Sequence, residues 1–258
     1  MGVLNVTPDS FSDGGRRRGP GAALAAAETM LAQGAALIDV GGESTRPGAE
    51  PVAEAEELDR AIPVVERLVS ELGCMVSIDT MKPAVMRAAC AAGAELINDV
   101  NALRAPGALA AACEAGAAVC LVHMQAEPRT MQAEPRYGDV VAEVGGFLRS
   151  RAEACELAGL ARERICIDPG FGFGKRLEHN IALLAGLPAL AAGRYPLMVG
   201  ISRKSMLGEL TGRASGERLA AGVAAAVLAA ERGAVIVRTH DVAAAVDALK
   251  VTAAVLAR

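Results

Sequence analysis

The sequence has 258 residues, of which 52% are hydrophobic and 22% are charged, with a formal net charge of −4. This usage is globular and excludes a disordered chain, which combines few apolar residues with a high net charge. The slightly acidic balance supplies neither a basic field for nucleic acid nor a polybasic patch for an anionic membrane, so we expect no partner of either class.

Short β-branched segments alternate with longer Ala-, Leu-, Glu- and Arg-rich segments of helical period along the whole chain. The predicted strands are residues 3–6, 37–40, 76–78, 96–100, 119–122, 165–167, 197–199 and 235–237. The predicted helices lie near residues 21–33, 52–72, 83–92, 107–115, 138–158, 178–190, 215–231 and 242–256. Alternating β–α units favour a parallel sheet, and eight units are the number that closes a TIM (β/α)8 barrel. Since no linker interrupts the pattern, we predict a single α/β domain over residues 1–258.

The turns support this architecture. Six predicted helices are followed by a glycine, the residue that most readily ends a helix in the left-handed conformation: Gly34, Gly73, Gly93, Gly116, Gly159 and Gly233. A doubly wound open sheet is the rival architecture, and it would place a glycine-rich dinucleotide turn after the first strand. That turn, NVTPDSFSDGG at residues 5–15, contains no GxGxxG pattern, which favours the barrel.

The cysteines and the apolar segments indicate the compartment. The six cysteines form no CxxC pair and lie mostly among apolar residues, so we predict reduced core residues rather than disulfides or a metal site. The first residues lack the features of a secretory signal, and the most apolar stretch, residues 219–230, is too short and Ala-rich to span a bilayer. We therefore expect a cytoplasmic protein.

Polar residues follow strand after strand at its carboxyl end. They are Asn5, Asp39, Asp79, Asn98, Asp99, His123, Asp168 and the segments 202–204 and 238–240. In a barrel these positions line the carboxyl-terminal face, where TIM-barrel enzymes place their sites. Polar residues that only contact solvent would be scattered over helix faces instead, so the pattern predicts an enzyme pocket.

Two segments after strands carry distinctive binding chemistry. The GFGFGK run at residues 170–175 lacks the GK[ST] of a mononucleotide P-loop, and its glycines suit a backbone that passes close over a flat ligand. Arg238 and His240 are two residues apart, so both side chains could hold one anion, although a surface His beside an Arg is the alternative. His179 is interpreted as a surface residue, and His123 as either a ligand or a structural residue.

Asp79, Asn98 and Asp168 are hydrogen-bond acceptors at the ends of three predicted strands. Because a buried carboxylate needs a partner, their convergence suggests a ligand with several N–H donors, or a cation. A divalent-metal cage is the competing interpretation. Against it, the sequence has no HxH or HExxH motif, and three histidines are too few for a His-rich zinc site.

Together these motifs resemble those of the dihydropteroate synthase family. They are NVTPDSFSDGG at 5–15, DVGGESTRPG at 39–48, SIDT at 77–80, INDV at 97–100, HMQ at 123–125, DPGFGFGK at 168–175, GISRKS at 200–205 and RTHDV at 238–242. The resemblance implies a TIM barrel, usually homodimeric, that acts in folate biosynthesis. Such enzymes join 4-aminobenzoate to 7,8-dihydropterin-6-ylmethyl diphosphate, release diphosphate and 7,8-dihydropteroate, and are the target of sulfonamides.

The resemblance also implies a role for individual residues. Asp168 would accept from the pterin 2-amino group and ring N–H, with Asn98 and Asp79 on its other donors, Lys204 closing the site and Met124 near the ring. The diphosphate would lie on Asn5, Arg238 and His240, with Mg²⁺ held through Asn5. The 4-aminobenzoate site would consist of Phe11, Thr45, Arg46, Pro47 and Ser202. The catalytic residues implied are Asp79, Lys204, Asp13 and Arg46, and Asp13 lies with Asp9 in a mobile first loop.

Two departures and two rival functions accompany the resemblance. Relatives usually carry a further segment before the first strand, which we expect to cap the bottom of the barrel, and Thr239 replaces a more usual apolar residue. Pterin-dependent methyltransferases share the barrel but have no use for the Thr45-Arg46-Pro47 segment or the Arg238/His240 pair. A non-catalytic pterin-binding paralogue would be expected to lack loop or anion-site residues, and those are present.

Overall fold

The computed structural model describes residues 1–7, 20–45, 48–126 and 130–257. Within these ranges the chain forms eight strands: β1 (Gly2–Asn5), β2 (Ile38–Gly41), β3 (Val76–Asp79), β4 (Leu96–Asp99), β5 (Ala118–Val122), β6 (Ile165–Asp168), β7 (Leu197–Val199) and β8 (Ala234–Val237). The same ranges contain nine α-helices: α1 (Pro20–Ala32), α2 (Glu54–Leu72), α3 (Pro83–Ala91), α4 (Ala108–Ala115), α5 (Val140–Leu157), α6 (Leu177–Ala191), α7 (Ser205–Thr211), α8 (Leu219–Glu231) and α9 (Val242–Leu256).

The strands form one parallel sheet that closes on itself. Neighbours in the sheet follow chain order from β1 to β8. Thr239, two residues after the end of β8, closes the barrel, because it pairs with Gly2 and its carbonyl accepts from the Val3 N–H at 3.1 Å. The predicted TIM barrel is therefore confirmed.

The helix that follows β7 differs from the prediction. A single helix over residues 215–231 was wrong: a short 3-10 turn spans Ser215–Glu217, and α8 begins only at Leu219. The additional helix α7 was missed because it is only seven residues long, too short to show an apolar period. Arg218, just before α8, links this region to the loop after β7, since its guanidinium donates to the carbonyls of Arg203 and Lys204.

The helices cover the outside of the barrel, and α2 has the clearest division into a polar and an apolar face. α2 shows how the sequence builds one: Glu54, Glu56 and Glu57 lie in its first turn, where the helix dipole favours acidic groups. Its apolar residues face inward, and Gly73 ends it in the left-handed conformation with φ of 59°. All six glycines predicted to end helices have positive φ.

Strand alternation decides which polar residues enter the barrel. In β4, Ile97 contacts the outer core between the strands and the helices, whereas Leu96 belongs to a smaller apolar cluster inside the barrel. Asn98 therefore shares the interior face with Leu96, and Asp99 shares the outer face with Ile97. By the same alternation Asp39, Asp79 and Asp168 lie on the interior side of β2, β3 and β6.

The opposite end of the barrel is apolar. A cavity of about 650 Å³ opens there among residues at the amino ends of the strands, including Leu37, Met75, Leu96, Cys166 and Ile236. None of the helices in the described ranges is long and apolar enough to cross a membrane.

Candidate functional site

Four interior polar side chains gather at the carboxyl end of the barrel. Asp39, Asp79, Asn98 and Asp168 are each at most 7% exposed, and each lies near the end of a different strand. Three of them were predicted as site residues, and Asp39 was noted only as a polar strand end. A ligand at this end of the barrel would meet a surface rich in oxygen acceptors.

Arg238, directly after β8, is the cation at the centre of this group. Its Nε donates to Asp39 Oδ2 at 2.6 Å and its Nη2 donates to Asp79 Oδ2 at 2.7 Å. Asn98 Nδ2 donates to the same Asp39 oxygen at 3.2 Å. Burial opposes the charge of Arg238, but the two carboxylates outweigh it and raise the pKa of the guanidinium above its usual value. The residue predicted to bind an anion is therefore a permanent cation held by two carboxylates.

Burial dominates the electrostatics of Asp79. It raises the pKa of Asp79 from 3.8 to about 7; Arg238 opposes the rise, whereas Asp39, Asp99 and Glu57 add to it. The second carboxylate oxygen, Oδ1, is buried and has no hydrogen-bond partner among the described residues. This oxygen can therefore carry a proton itself, or it can accept a hydrogen bond from a ligand.

Asp168 is shaped by the turn that follows β6. Its Oδ1 accepts from the Gly170 N–H at 2.7 Å, which leaves Oδ2 without a hydrogen bond to a described residue. Gly170 has φ of 67°, and a Cβ there would lie 1.9 Å from the His123 carbonyl oxygen. Only glycine fits this turn, so the DPGFGFGK motif fixes which carboxylate oxygen is available to a ligand.

Lys204 reaches the same turn from the loop after β7. Its ammonium donates to the Phe171 carbonyl and lies 4.5 Å from the centre of the Phe173 ring. Burial lowers the pKa of Lys204 to about 8, although the Asp168 carboxylate raises it. Lys204 therefore lies near Asp168, the pterin-binding residue predicted at the end of β6.

The lysine at the end of the DPGFGFGK motif was not predicted to have a role. Lys175 is 3% exposed, and its Nζ contacts His123 Nδ1 at 2.9 Å and the carbonyls of Gly170 at 2.9 Å and Phe173 at 3.0 Å. Burial, aided by Lys175, lowers the pKa of His123 to about 3, so the ring is neutral and accepts from the lysine. His123, which the sequence left open, is a structural residue that also packs edge-on against Phe147.

A second ion cluster lies under the loop after β2. Glu43 accepts from the Val52 N–H at 3.1 Å and forms an ion pair with Lys82. Lys82 also pairs at 2.5 Å with Glu57, whose side chain is fully buried on α2. Sequence reasoning missed this cluster because its members are 14 and 25 residues apart and no local pattern joins them.

The remaining predicted residues lie around this group. His240 Nδ1 lies 3.2 Å from Ser202 Oγ, so the structure brings a predicted diphosphate residue next to a predicted 4-aminobenzoate residue. Met124 is 3% exposed and contacts the apolar cluster inside the barrel, and Thr45 is half-buried. The predictions for Phe11, Asp13, Arg46 and Pro47, and for Asp9, lie outside the described residues.

Asn5 is the residue predicted from the sequence to bind a metal ion. A Cβ at Gly41 would lie 3.4 Å from Asn5 Oδ1 and 3.9 Å from Asp79 Oδ2, so the glycine leaves free the space between these two oxygens. Amide and carboxylate oxygens are the hard donors that Mg²⁺ takes, usually together with phosphate oxygens. The residues therefore fit Mg²⁺ bound with a diphosphate. The described part of the chain has no group of three or more His, Cys, Asp or Glu that could form a metal cage.

The family described as "Pterin binding enzyme" matches residues 1–240. The dihydropteroate synthase of Escherichia coli K12 is 51% identical over 256 residues, which cover 99% of this chain and 91% of that protein.

Solved structures of dihydropteroate synthases also cover the whole chain, as two examples show. The Yersinia pestis dihydropteroate synthase in a sulfonamide drug complex is 50% identical, with a TM-score of 0.96 over 94% of its chain. The Burkholderia cenocepacia dihydropteroate synthase complexed with 7,8-dihydropteroate is 56% identical, with a TM-score of 0.91 over 91% of its chain.

Proposed function

This chain belongs to the pterin-binding enzyme family and catalyses the dihydropteroate synthase reaction, and we propose the following roles for its residues. We assign the activity to this site because a group of buried acceptors surrounds Arg238 at the carboxyl end of the barrel. These acceptors are Asp79, Asn98 and Asp168. One end of the substrate is a ring with several N–H donors, and the other is a polyanion. The site offers acceptors and cations to match.

The acceptors bind and polarise the pterin. Asp168 Oδ2 accepts from the 2-amino group and the adjacent ring N–H, while Asn98 and Asp79 accept from the other donors. As the C–O bond to diphosphate breaks, positive charge develops on the dihydropterin. Carboxylates already held in place stabilise that charge without reorganisation, and such stabilisation usually contributes more than any other effect to enzymatic rate enhancement. Lys204 closes the ring side of the site, and Met124 supplies an apolar contact.

The leaving group requires cations. Arg238 and His240 bind the diphosphate. Asn5 would hold Mg²⁺, and a bound Mg²⁺ would supply further positive charge for the departing diphosphate. Because Asp39 and Asp79 accept from two N–H groups of the Arg238 guanidinium, its orientation is set before substrate arrives. Fixed orientation reduces the entropy lost on binding.

The second substrate is 4-aminobenzoate. Its proposed site comprises Phe11, Thr45, Arg46, Pro47 and Ser202, and Asp13 is the proposed catalytic residue of the first loop. The aniline nitrogen of 4-aminobenzoate is a nucleophile without prior deprotonation, so attack on the cationic methylene needs no general base. Arg46→Ala should slow turnover and leave the affinity for the pterin diphosphate within about threefold, since it serves the second substrate.

The direct test is product formation. Purified protein with the pterin diphosphate, Mg²⁺ and 4-aminobenzoate should yield 7,8-dihydropteroate, identified by mass spectrometry, and a sulfonamide should suppress it. Matched reactions that omit each substrate or add EDTA are the controls. Failure to form product from protein that binds the pterin would contradict the proposed function, and full activity in EDTA would contradict the role of Mg²⁺.

We further propose that the protein acts as a cytoplasmic homodimer. Support comes from exposed apolar side chains on two neighbouring helices, Leu219 and Leu228 on α8 and Val251 and Val255 on α9. All six cysteines, each within the described residues, are free thiols, as a reducing compartment favours. Light scattering after size exclusion should give twice the chain mass of 26.3 kDa, and Val251→Asp should reduce it. A monomer at micromolar concentration would contradict the proposal.

A further inference from the structure

Asp39 occupies the interior of the barrel beneath the proposed binding residues. It lies on β2 and is 0% exposed. Its strand pairs Asp39 with Ser77 and Gly41 with Asp79, so Asp39 lies one interior layer deeper than Asp79. The layer above it on β2 is Gly41, and the side-chain oxygens of Asn5 and Asp79 lie within 3.9 Å of where a Cβ on that glycine would stand. The residues that lie directly above Asp39 are thus themselves proposed to bind the substrate.

One oxygen of Asp39 orients two of those residues. Oδ2 accepts from Arg238 Nε at 2.6 Å and from Asn98 Nδ2 at 3.2 Å. The donors come from opposite parts of the barrel wall, Asn98 from β4 and Arg238 from the end of β8. A carboxylate is an acceptor only, so it selects the N–H face of each neighbour.

The hydrogen bond to Asp39 decides which atom the Asn98 amide presents. A side-chain amide has one acceptor and one donor end, and rotation by 180° exchanges them. Because Nδ2 is held by Asp39, Oδ1 is the atom left over, and it is buried without a hydrogen-bond partner among the described residues. The acceptor that a pterin N–H requires is therefore fixed in advance.

Asp39 also sets the direction of the Arg238 guanidinium. Nε and Nη2 are engaged by Asp39 and Asp79, and among the described residues Nη1 has no hydrogen-bond partner. An anion that approaches the site meets the remaining donors in one orientation. Without Asp39, the Arg238 guanidinium would be held only by its contact to Asp79.

We propose that Asp39 is a positioning residue of this site, which fixes Asn98 Oδ1 as an acceptor for the pterin and aims Arg238 at the diphosphate without touching either substrate group. The proposal rests on the proposed function, since it assigns Asn98 and Arg238 to that substrate. The pterin part and the diphosphate part of the site therefore both depend on the buried carboxylate of Asp39.

Exchange of the two partners tests the proposal by calorimetric titration with 7,8-dihydropterin-6-ylmethyl diphosphate. Asp39→Asn should weaken binding about tenfold or more, because the amide no longer selects the donor end of Asn98. Asn98→Asp keeps an acceptor toward the ligand but sets two carboxylates against each other at the 3.2 Å contact, and it should also weaken binding about tenfold. The double variant Asp39→Asn/Asn98→Asp restores one donor and one acceptor to the pair but turns an N–H donor toward Arg238 Nε, so its loss of affinity should be clearly smaller than the product of the two single losses without a full return to the wild-type value.

The controls separate positioning from stability. Ser77→Ala changes a fully buried interior residue at the same depth as Asp39, outside the hydrogen-bond group, and should leave the dissociation constant within about twofold. Thermal unfolding of every variant establishes that it is folded. If Asp39→Asn does not fold, Asn98→Asp carries the test, since it leaves Asp39 untouched.

The outcomes are distinct. A wild-type protein that does not bind the pterin diphosphate overturns the proposed function. Wild-type binding with Asn98→Asp as tight as the wild type overturns the role of Asp39, as does a double variant whose loss is the product of the two single losses. A merely structural carboxylate would show such multiplied losses and no rescue.

Discussion

Replacement of Asp168 by asparagine isolates the contact proposed to identify the pterin. The substitution preserves size and changes one oxygen to an amide nitrogen. The Gly170 N–H lies 2.7 Å from Asp168 Oδ1 and requires an acceptor, so the amide oxygen of the variant stays on that side. The NH₂ group is then forced into the place of Oδ2, where it opposes the N–H donors of the pterin.

The magnitude follows from the bonds lost. A hydrogen bond to a charged group contributes about 1.5–3 kcal/mol, and the pterin would make two with one carboxylate oxygen. Loss of both, offset in part by relaxation of the turn, gives about 4 kcal/mol, or roughly a thousandfold in Kd. Calorimetric titration with the pterin diphosphate in the absence of 4-aminobenzoate measures this loss of affinity without any contribution from the second substrate.

Asp99→Asn is the matched control. Asp99 is a fully buried aspartate that also ends a strand, but it faces the helices and accepts from the Asn101 N–H at 2.7 Å and the Leu103 N–H at 2.8 Å. The Asp99→Asn substitution should leave the Kd for the pterin diphosphate within about threefold of the wild-type value. A folded Asp168→Asn protein that binds within tenfold of the wild type would refute the reasoning, and equal losses in both variants would show that the effect is not specific to the site.

Three further predictions concern stability. Gly170→Ala should cost more than about 3 kcal/mol and abolish activity, because its Cβ would lie 1.9 Å from the His123 carbonyl oxygen. Lys82→Met should lower the free energy of unfolding by about 3 kcal/mol, since it leaves the buried Glu57 carboxylate without its cation. Burial raises the pKa of Asp99 from 3.8 to about 6, so its contribution to stability is complete below pH 3.8 and is lost as the pH rises through 6. The stability advantage of the wild type over Asp99→Asn should therefore fall by about 2 kcal/mol between pH 4.5 and 8.

Urea denaturation measures all three effects, and each has its control. Gly146→Ala tests a glycine with open space at its Cβ and should be nearly neutral. Lys250→Met removes an exposed lysine on α9 and should change stability by less than about 0.5 kcal/mol. A Lys82→Met protein as stable as this control would contradict the role of the ion cluster, and a pH-independent difference for Asp99→Asn would contradict the pKa shift.

The barrel and most of the polar end could be predicted because both depend on local sequence patterns. Strand and helix periods, together with glycines after helices, indicate the eight β–α units without any knowledge of packing. Polar residues that end successive strands must meet at one end of a parallel barrel, which is how Asp79, Asn98 and Asp168 were found. Alternation also separates Asn98 inside from Asp99 outside, a distinction that requires the exact strand register.

The missed residues depend on contacts between distant segments. Asp39 gains its importance from Arg238, 199 residues away, and from Asn98, 59 residues away. Lys175 was given no role because no local pattern joins it to His123, 52 residues away; three glycines with positive φ fold the chain back over its ammonium. The helix α7 is too short to reveal a period. In each case tertiary packing, rather than local preference, decides the role.

The crystal structure of the complex with 7,8-dihydropteroate tests the central claim most directly. We expect the pterin inside the carboxyl end of the barrel, with its 2-amino group and ring N–H on Asp168 Oδ2, a second ring donor on Asn98 Oδ1 and the aminobenzoyl group toward Ser202. A pterin bound elsewhere, or bound here with no contact to Asp168, would contradict it.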